Sequence, residues 1–166
     1  MHARVATYSA GTDSRHLATS VEGATRSLVL VHRDDGSILS IAFFDDEEAA
    51  ARGDAETGPT ARPTAVVVYA VANDRVRPER QARCARVSTH EGHPMRDVSP
   101  SPLVGLEGLA GLTMLIDRRS GKGLGILLFE SEAALEQGHE FVSAARPGTA
   151  GQTSAIEFYD VAFLSG

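Results

Sequence analysis

The chain has 166 residues, of which 42% are hydrophobic and 23% are charged, a composition typical of a folded globular protein and not of a disordered one. Its formal net charge of -6 argues against nucleic acid as a partner, because phosphate backbones require clustered positive charge. The single cysteine, Cys84, excludes an intramolecular disulfide and favours a reducing compartment.

No apolar run in the sequence is long enough to span a membrane, and residues 1–11 lack the features of a secretory signal. We therefore expect a cytoplasmic protein with no membrane partner. The abundance of Ala, Arg and Gly resembles the composition of proteins from high-GC bacteria, so a bacterial source is expected.

The first half of the chain predicts a strand, a helix, a hairpin, a helix and a strand. Two apolar runs flank Asp35-Gly36, which is a hairpin signal. Acidic residues at 45–48 predict a helix start, because carboxylates accept hydrogen bonds from the free amides of a first helical turn. The predicted elements are a strand at 3–9, a helix at 14–26, strands at 28–32 and 38–44, a helix ending near Gly58, and a strand at 65–72.

The second half predicts the same order after a polar, arginine-rich linker at 73–83. Its first helix should start only after Pro102, because proline clashes with a preceding helical turn. Its hairpin crosses Ser120-Gly121, and its second helix begins at Ser131. The predicted elements are strands at 85–90, 112–117, 124–129 and 155–162, with the second helix ending near Pro147.

The two halves also match in sequence. Ala3-Arg4-Val5 recurs as Ala85-Arg86-Val87, and residues 41–50 resemble residues 126–135. A chance match would not stay in order along several segments, so the chain predicts two copies of one module. The predicted organisation is a first module at 1–72, a linker at 73–83 and a second module at 84–166.

The order β-α-β-β-α-β predicts a ferredoxin-like α+β module with both helices on one face of an antiparallel sheet. The strands at 38–44 and 124–129 are apolar at both parities, so we expect both of their faces to be covered. The bare sheet faces of the two copies can cover each other.

The segment 109–132 resembles the antibiotic biosynthesis monooxygenase-like family. It has an apolar strand, the turn Asp117-Arg118-Arg119-Ser120-Gly121, a second apolar strand ending at Phe129, and a Ser131-Glu132 helix start. The first half keeps this pattern more loosely, at residues 32–36 and 44–47. Together the copies cover nearly the whole chain.

The resemblance implies that the tandem modules form a dimeric α+β barrel within one chain, with an interior that can hold a small organic molecule. The family includes cofactor-independent oxygenases of aromatic polyketides and haem-degrading enzymes. The haem-degrading pattern has Asn, His and Trp in its pocket, whereas this chain has no Trp and its only Asn is Asn73 in the expected linker. We therefore expect no cofactor.

Short chemical motifs favour structural interpretations. His90-Glu91-Gly92-His93 lacks the spacing that places two imidazoles on one helix face, so no metal site is expected. Gly121-Lys122-Gly123-Leu124-Gly125 lacks the full phosphate-loop spacing and suits a glycine-rich hairpin. Cys84 is interpreted as a small strand residue, Tyr69 and Tyr159 as structural counterparts, and Arg75, Arg77, Arg80 and Arg83 as solvated linker residues.

A candidate site comes from the alternation of strand side chains. Ala3, Val5 and Thr7, with counterparts Ala85, Val87 and Thr89, form a small set suited to packing under helices. The opposite set would then face the barrel interior, where four polar residues could bind a phenolic or anionic ligand. They are Arg4, Tyr8, Arg86 and His90. The alternative is that these side chains line the barrel rim in water or pair with carboxylates.

Two functions remain open. The first is a binding or assembly protein that keeps the monooxygenase-like fold without a catalytic constellation. The second is a cofactor-independent monooxygenase acting on an aromatic or polyketide-like molecule, with His90 as general base. The partner is a small aromatic or anionic ligand, and homo-oligomerisation is left open.

The absence of Trp and the spacing of the histidines predict that the purified protein carries neither haem nor a stoichiometric transition metal. Protein from haem-replete cells should show no Soret band, and elemental analysis should find less than one metal per chain. A one-to-one ratio of haem or metal to protein would contradict the prediction.

Overall fold

The fold is α+β, and the computed structural model describes residues 1–19, 21–52, 62–77, 79–91, 103–144 and 152–165. Eight strands and three α-helices lie in these ranges, with one 3₁₀-helix at Leu103–Gly105. In chain order they are β1 His2–Tyr8, α1 Ser14–Thr19, β2 Arg26–His32, β3 Ile38–Phe44, α2 Glu47–Arg52, β4 Ala65–Val76, β5 Cys84–Glu91, β6 Leu109–Ile116, β7 Gly123–Phe129, α3 Glu132–Ala144 and β8 Gln152–Leu164. None of these helices is long and apolar enough to cross a membrane.

The chain divides into two compact units. The first contains Met1–Val71 and Tyr159–Gly166, and the second contains Ala72–Phe158. The boundaries therefore fall inside β4 and β8 and not in a loop. The strand order is β4-β1-β3-β2-β8 in the first unit and β8-β5-β7-β6-β4 in the second.

Each unit contains the predicted hairpin, and a glycine in the left-handed region closes each turn. Gly36 has a φ of 70° and its amide donates to the His32 carbonyl over 3.0 Å. Gly121 has the same φ and its amide donates to the Asp117 carbonyl over 2.9 Å. Only glycine adopts this backbone region without a steric cost. Both predicted hairpins are confirmed.

The strands of the two units pair in matching register. Val5 on β1 pairs with Ile41 on β3, and Val87 on β5 pairs with Ile126 on β7. In the comparison of the two halves, Val5 aligns with Val87 and Ile41 aligns with Ile126. The pairs β2–β3 and β6–β7 match in the same way, so hydrogen bonding in the sheets follows the alignment of the two halves.

The helices begin where the sequence predicted. The amide of Ala49 donates to Asp46 Oδ1 over 2.7 Å at the start of α2, and the amide of Ala134 donates to Ser131 Oγ over 3.3 Å at the start of α3. Both are N-caps, which satisfy amides that lack a partner within the helix. The predicted helix ends near Gly58 and Pro147 lie outside the described residues.

The segment between the first strand and the hairpin is less helical than expected. Helix α1 ends at Thr19, well before residue 26, and Gly23 has a φ of 79°, which is incompatible with a continuing α-helix. The corresponding segment of the second unit has a single 3₁₀ turn after Pro102.

Both faces of β3 and β7 are buried, as predicted from their apolar residues at both parities. All seven residues of β3 are buried, and only Leu124 is partly exposed in β7. One face packs against helices: Phe44 contacts Ala50 of α2 in the first unit, and Phe129 contacts Leu135 of α3 in the second. The opposite face includes Ile41 and Ile126, both fully buried.

The predicted linker at 73–83 is wrong for its first four residues. Strand β4 continues to Val76, and the Arg77 amide then donates to the Ala110 carbonyl of β6 over 2.9 Å. Polar side chains do not prevent a strand where the backbone finds a neighbouring strand to pair with.

Gly138 sets the approach of α3 to the sheet. A Cβ on Gly138 would overlap the ring of Phe129, which is fully buried. A glycine-to-alanine change in a helix normally stabilises by about 1 kcal/mol, but here overpacking reverses the sign. We expect Gly138→Ala to lower the free energy of unfolding by about 1–3 kcal/mol in urea denaturation.

The exposed neighbour Gln137 supplies the control. Gln137→Ala changes helix propensity without touching Phe129 and should leave stability nearly unchanged. A Gly138→Ala protein as stable as the original would show that the helix can shift at no cost.

Candidate functional site

The four predicted site residues lie in pairs in different units. Arg4 and Tyr8 lie on β1 in the first unit, and Arg86 and His90 lie on β5 in the second. Arg4 and Tyr8 are each 2% exposed, and Arg86 is 4% exposed. The alternative, that these side chains line the barrel rim in water, is therefore wrong for Arg4, Tyr8 and Arg86.

The predicted face assignment is also wrong, because the polar set lies on the face covered by helices. Tyr8 packs against Leu17 of α1, and Arg86 bonds to His139 of α3. The small residues that admit the helices are Ala6 and Ala42, which share the face of Arg4 and Tyr8. Residues on both faces of β1 are buried. The small residues on one face therefore did not show which face the helices cover.

The buried Arg86 of β5 pairs with the partly buried His139 of α3. The Arg86 Nε donates to His139 Nδ1 over 3.2 Å, and the His139 ring packs edge-on against Phe158 with a centroid separation of 5.2 Å. Burial lowers the pKa of Arg86, because desolvation disfavours its charged form. Since His139 Nδ1 accepts this bond, its neutral ring carries the proton on Nε2.

His90 is held at both ring nitrogens. Ser88 Oγ lies 2.9 Å from His90 Nε2, and Thr153 Oγ1 of β8 lies 3.3 Å from His90 Nδ1. Ser88 Oγ also donates to the Gly125 carbonyl over 3.3 Å. Two hydroxyls therefore fix the plane of an imidazole that is itself half-buried.

The Ser88 hydroxyl has a single proton, which restricts the tautomer of His90. When Ser88 donates to Gly125, its oxygen must accept from His90, so His90 Nε2 carries the hydrogen. Nδ1 then holds a lone pair directed to Thr153, at the exposed end of the array. This arrangement can present a neutral imidazole as a base.

Gly125 makes room for this array. A Cβ at Gly125 would lie 2.9 Å from Ser88 Oγ and 3.5 Å from His90 Nε2. The sequence interpreted the glycines of 121–125 as hairpin residues, which is confirmed for Gly121. Gly125, by contrast, lies within β7 and leaves space for a bond between two side chains of β5.

The described part of the first unit has no equivalent array at the matching positions. Ala6 and Tyr8 occupy the positions of Ser88 and His90, and Tyr8 is part of an apolar cluster. The pair of a hydroxyl and an imidazole at these two positions is therefore specific to the second unit. Sequence reasoning missed Ser88, although it shares the parity of Arg86 and His90, and missed His139 and Thr153, which only tertiary structure brings close.

No three His, Cys, Asp or Glu side chains within the described ranges lie close enough together to hold a metal. His93, the second histidine of the short motif, lies outside those ranges. Cys84 is buried with its Sγ 3.7 Å from the Phe129 carbonyl oxygen, consistent with a small strand residue. Tyr159 is buried and packs edge-on against His32.

Comparison with known proteins finds relatives for part of the chain. No family model matches it. Two uncharacterised proteins of Mycobacterium tuberculosis, from strains CDC 1551 and H37Rv, are each 32% identical over 87 residues, or 51% of this chain. The match spans only 38% of the length of those relatives.

Solved structures match almost the whole chain. An anthrone oxidase-like protein covers 99% of it with a TM-score of 0.65 and 14% identity, over 92% of that protein. The likeness is one of fold. A provisionally assigned monooxygenase from Lactobacillus acidophilus NCFM covers 99% with a TM-score of 0.63, 12% identity and 95% of its own length. The heme-degrading enzyme LmHde of Listeria monocytogenes covers 96% with a TM-score of 0.59, 11% identity and 99% of its own length.

The Arg86–His139 pair generates a stability prediction. His139→Phe keeps an aromatic ring against Phe158 but leaves the buried Arg86 Nε without its acceptor, so we expect it to lower the free energy of unfolding by about 1–3 kcal/mol. Arg86→Met removes the buried charge and should cost less. Urea denaturation measures both variants.

The double variant Arg86→Met/His139→Phe tests whether the loss of stability comes from the unsatisfied Arg86 side chain. It should be more stable than His139→Phe alone, because no unsatisfied charge remains. Equal stability of these two variants would show that Arg86 does not depend on His139.

Proposed function

We propose that the second unit is a cofactor-independent monooxygenase site in which His90 acts as general base on a small phenolic or enolisable aromatic molecule. The observation that carries this proposal is the fixed imidazole of His90, held at Nε2 by Ser88 and at Nδ1 by Thr153, at the exposed end of the array. The fold shared with an anthrone oxidase-like protein supports the reaction class.

We further propose that residues 1–72 and residues 84–166 are tandem copies of one ferredoxin-like module. The matching strand registers and the matching glycine turns support this origin. Catalysis is assigned to the second copy, because among the described residues it is there that two hydroxyls hold an imidazole. The predicted ligand contacts Arg4 and Tyr8 lie buried on the helix-covered face of β1, and no ligand role is proposed for them.

The reaction needs no cofactor if the substrate itself supplies the electrons. His90 Nδ1 takes a proton from an activated CH₂ or its enol, and the resulting enolate transfers an electron to O₂. Recombination gives a hydroperoxide, which loses water to leave a ketone. Overall one CH₂ becomes C=O, one O₂ is consumed and one water is released.

Arg86 supplies positive charge on the same sheet face. Residues 86 and 90 are four positions apart on β5, so their Cα atoms are about 13 Å apart at the usual rise per residue. A buried guanidinium favours a negatively charged enolate, because Coulomb interactions are stronger away from water. We assign Arg86 to ligand binding and Ser88 to positioning His90.

Anthrone is a suitable first substrate, because its central CH₂ is activated by a carbonyl across the ring. The protein should consume one O₂ per anthrone and yield anthraquinone. An oxygen electrode measures the O₂ consumed, and absorbance measures the anthraquinone formed. We expect His90→Gln to lower kcat at least about 100-fold, the usual contribution of a general base. Ser88→Ala should lower it less, since the base remains but its tautomer is no longer fixed.

His16→Gln is the matched control, because His16 is exposed on α1 of the first unit. It should leave turnover and thermal stability unchanged. Binding of anthrone without O₂ uptake would favour the binding protein, and unchanged turnover in His90→Gln would overturn the role of His90.

A further inference from the structure

A second feature of the second unit is a cleft of about 200 Å³ beside the 3₁₀-helix. Its lining combines two cationic side chains with an apolar floor. The lining residues are Arg75, Arg77, Leu103, Leu109, Gly111 and Leu112. The sequence had interpreted the two arginines as solvated linker residues, whereas the structure places them in the lining of a cleft with three leucines.

We propose that this cleft binds a small monocarboxylate with an apolar body, separately from the His90 site. Arginine is the side chain best suited to a carboxylate, because its planar donors match the two oxygens. The leucines would cover the apolar part of the ligand. Drug-sized ligands occupy pockets of about 300–1,000 Å³, so this cleft suits a molecule of one or two rings.

Two side chains near the cleft have partners elsewhere in the second unit. Arg80 pairs with Glu130 at 2.8 Å, so its charge is largely neutralised. Asp74, the carboxylate next to Arg75, accepts a hydrogen bond from Thr113 over 2.7 Å. Asp74 and Arg75 are adjacent in β4, so their side chains point to opposite faces of the strand.

Gly111 shapes the cleft at its base. A Cβ there would lie 3.2 Å from Val76 Cγ2 and 3.3 Å from Leu128 Cδ1. The missing side chain lets β4 approach β6 closely at Val76, which lies between the two arginines that line the cleft. Among the described lining residues there is no carboxylate to repel an anion.

Binding of 2-naphthoate, measured by calorimetry at low salt, tests the proposal. Its neutral analogue 2-naphthalenemethanol has a similar body without charge and should bind at least about tenfold more weakly. Arg75→Gln and Arg77→Gln should each weaken 2-naphthoate by about fivefold or more. Arg75 is exposed, so its substitution should not impair folding, and the thermal midpoint checks this.

Two control variants identify the site. Arg83 is exposed and does not line the cleft, so Arg83→Gln should retain full affinity. His90→Gln should also retain it, which separates this proposal from the oxygenase proposal. The proposal would be overturned if the neutral analogue bound equally well, or if Arg83→Gln lost as much affinity as the cleft variants. It would also be overturned if only Arg86→Met lost affinity, or if millimolar 2-naphthoate did not bind.

Discussion

Burial of both faces of the central strands is the constraint on which the rest of the structure depends. Because β3 and β7 are covered on both sides, any polar group on the strands beside them must find a partner within the protein. Arg86 does so through His139, and Ser88 does so through Gly125 and His90. The same constraint requires close packing, which is why Gly138 faces the ring of Phe129. The polar array of the second unit is therefore ordered by the packing around it.

The two units use the same strand register for different purposes. In the first, Ala6 on β1 pairs with Ser40 on β3, and in the second, Ser88 on β5 pairs with Gly125 on β7. The serine of this pair is thus on β3 in the first unit and on β5 in the second. Only on β5 does it lie two residues before a histidine, on the same face and within hydrogen-bonding distance. Loss of the side chain at 125 leaves room for that bond, so this pair of positions accounts for the chemical difference between the units.

The sequence was sufficient for elements governed by local chemistry. Asp46 and Ser131 predicted helix starts, and Gly36 and Gly121 predicted turns, because caps and left-handed turns depend on few residues. The face assignment of β1 and β5 could not be obtained in this way, since both parities of these strands are buried. His139 was equally inaccessible, because α3 brings it to Arg86 from 53 positions away. Of the candidate site, Arg86 and His90 were predicted as neighbours on one strand face, and their partners were not.

The charge of the chain makes the location of its arginines informative. A net charge of -6 repels anions at long range, but salt screens this field beyond about 8 Å, so a local group of cations can still bind a carboxylate. Arg80 is paired with Glu130 and contributes little to such a group, whereas Arg75 and Arg77 line the cleft of the second unit together. Arg86 lies in the same unit and is buried, where a charge acts through a medium less polar than water. The second unit therefore has two separate places for negative charge, the cleft lined by Arg75 and Arg77 and the buried side chain of Arg86.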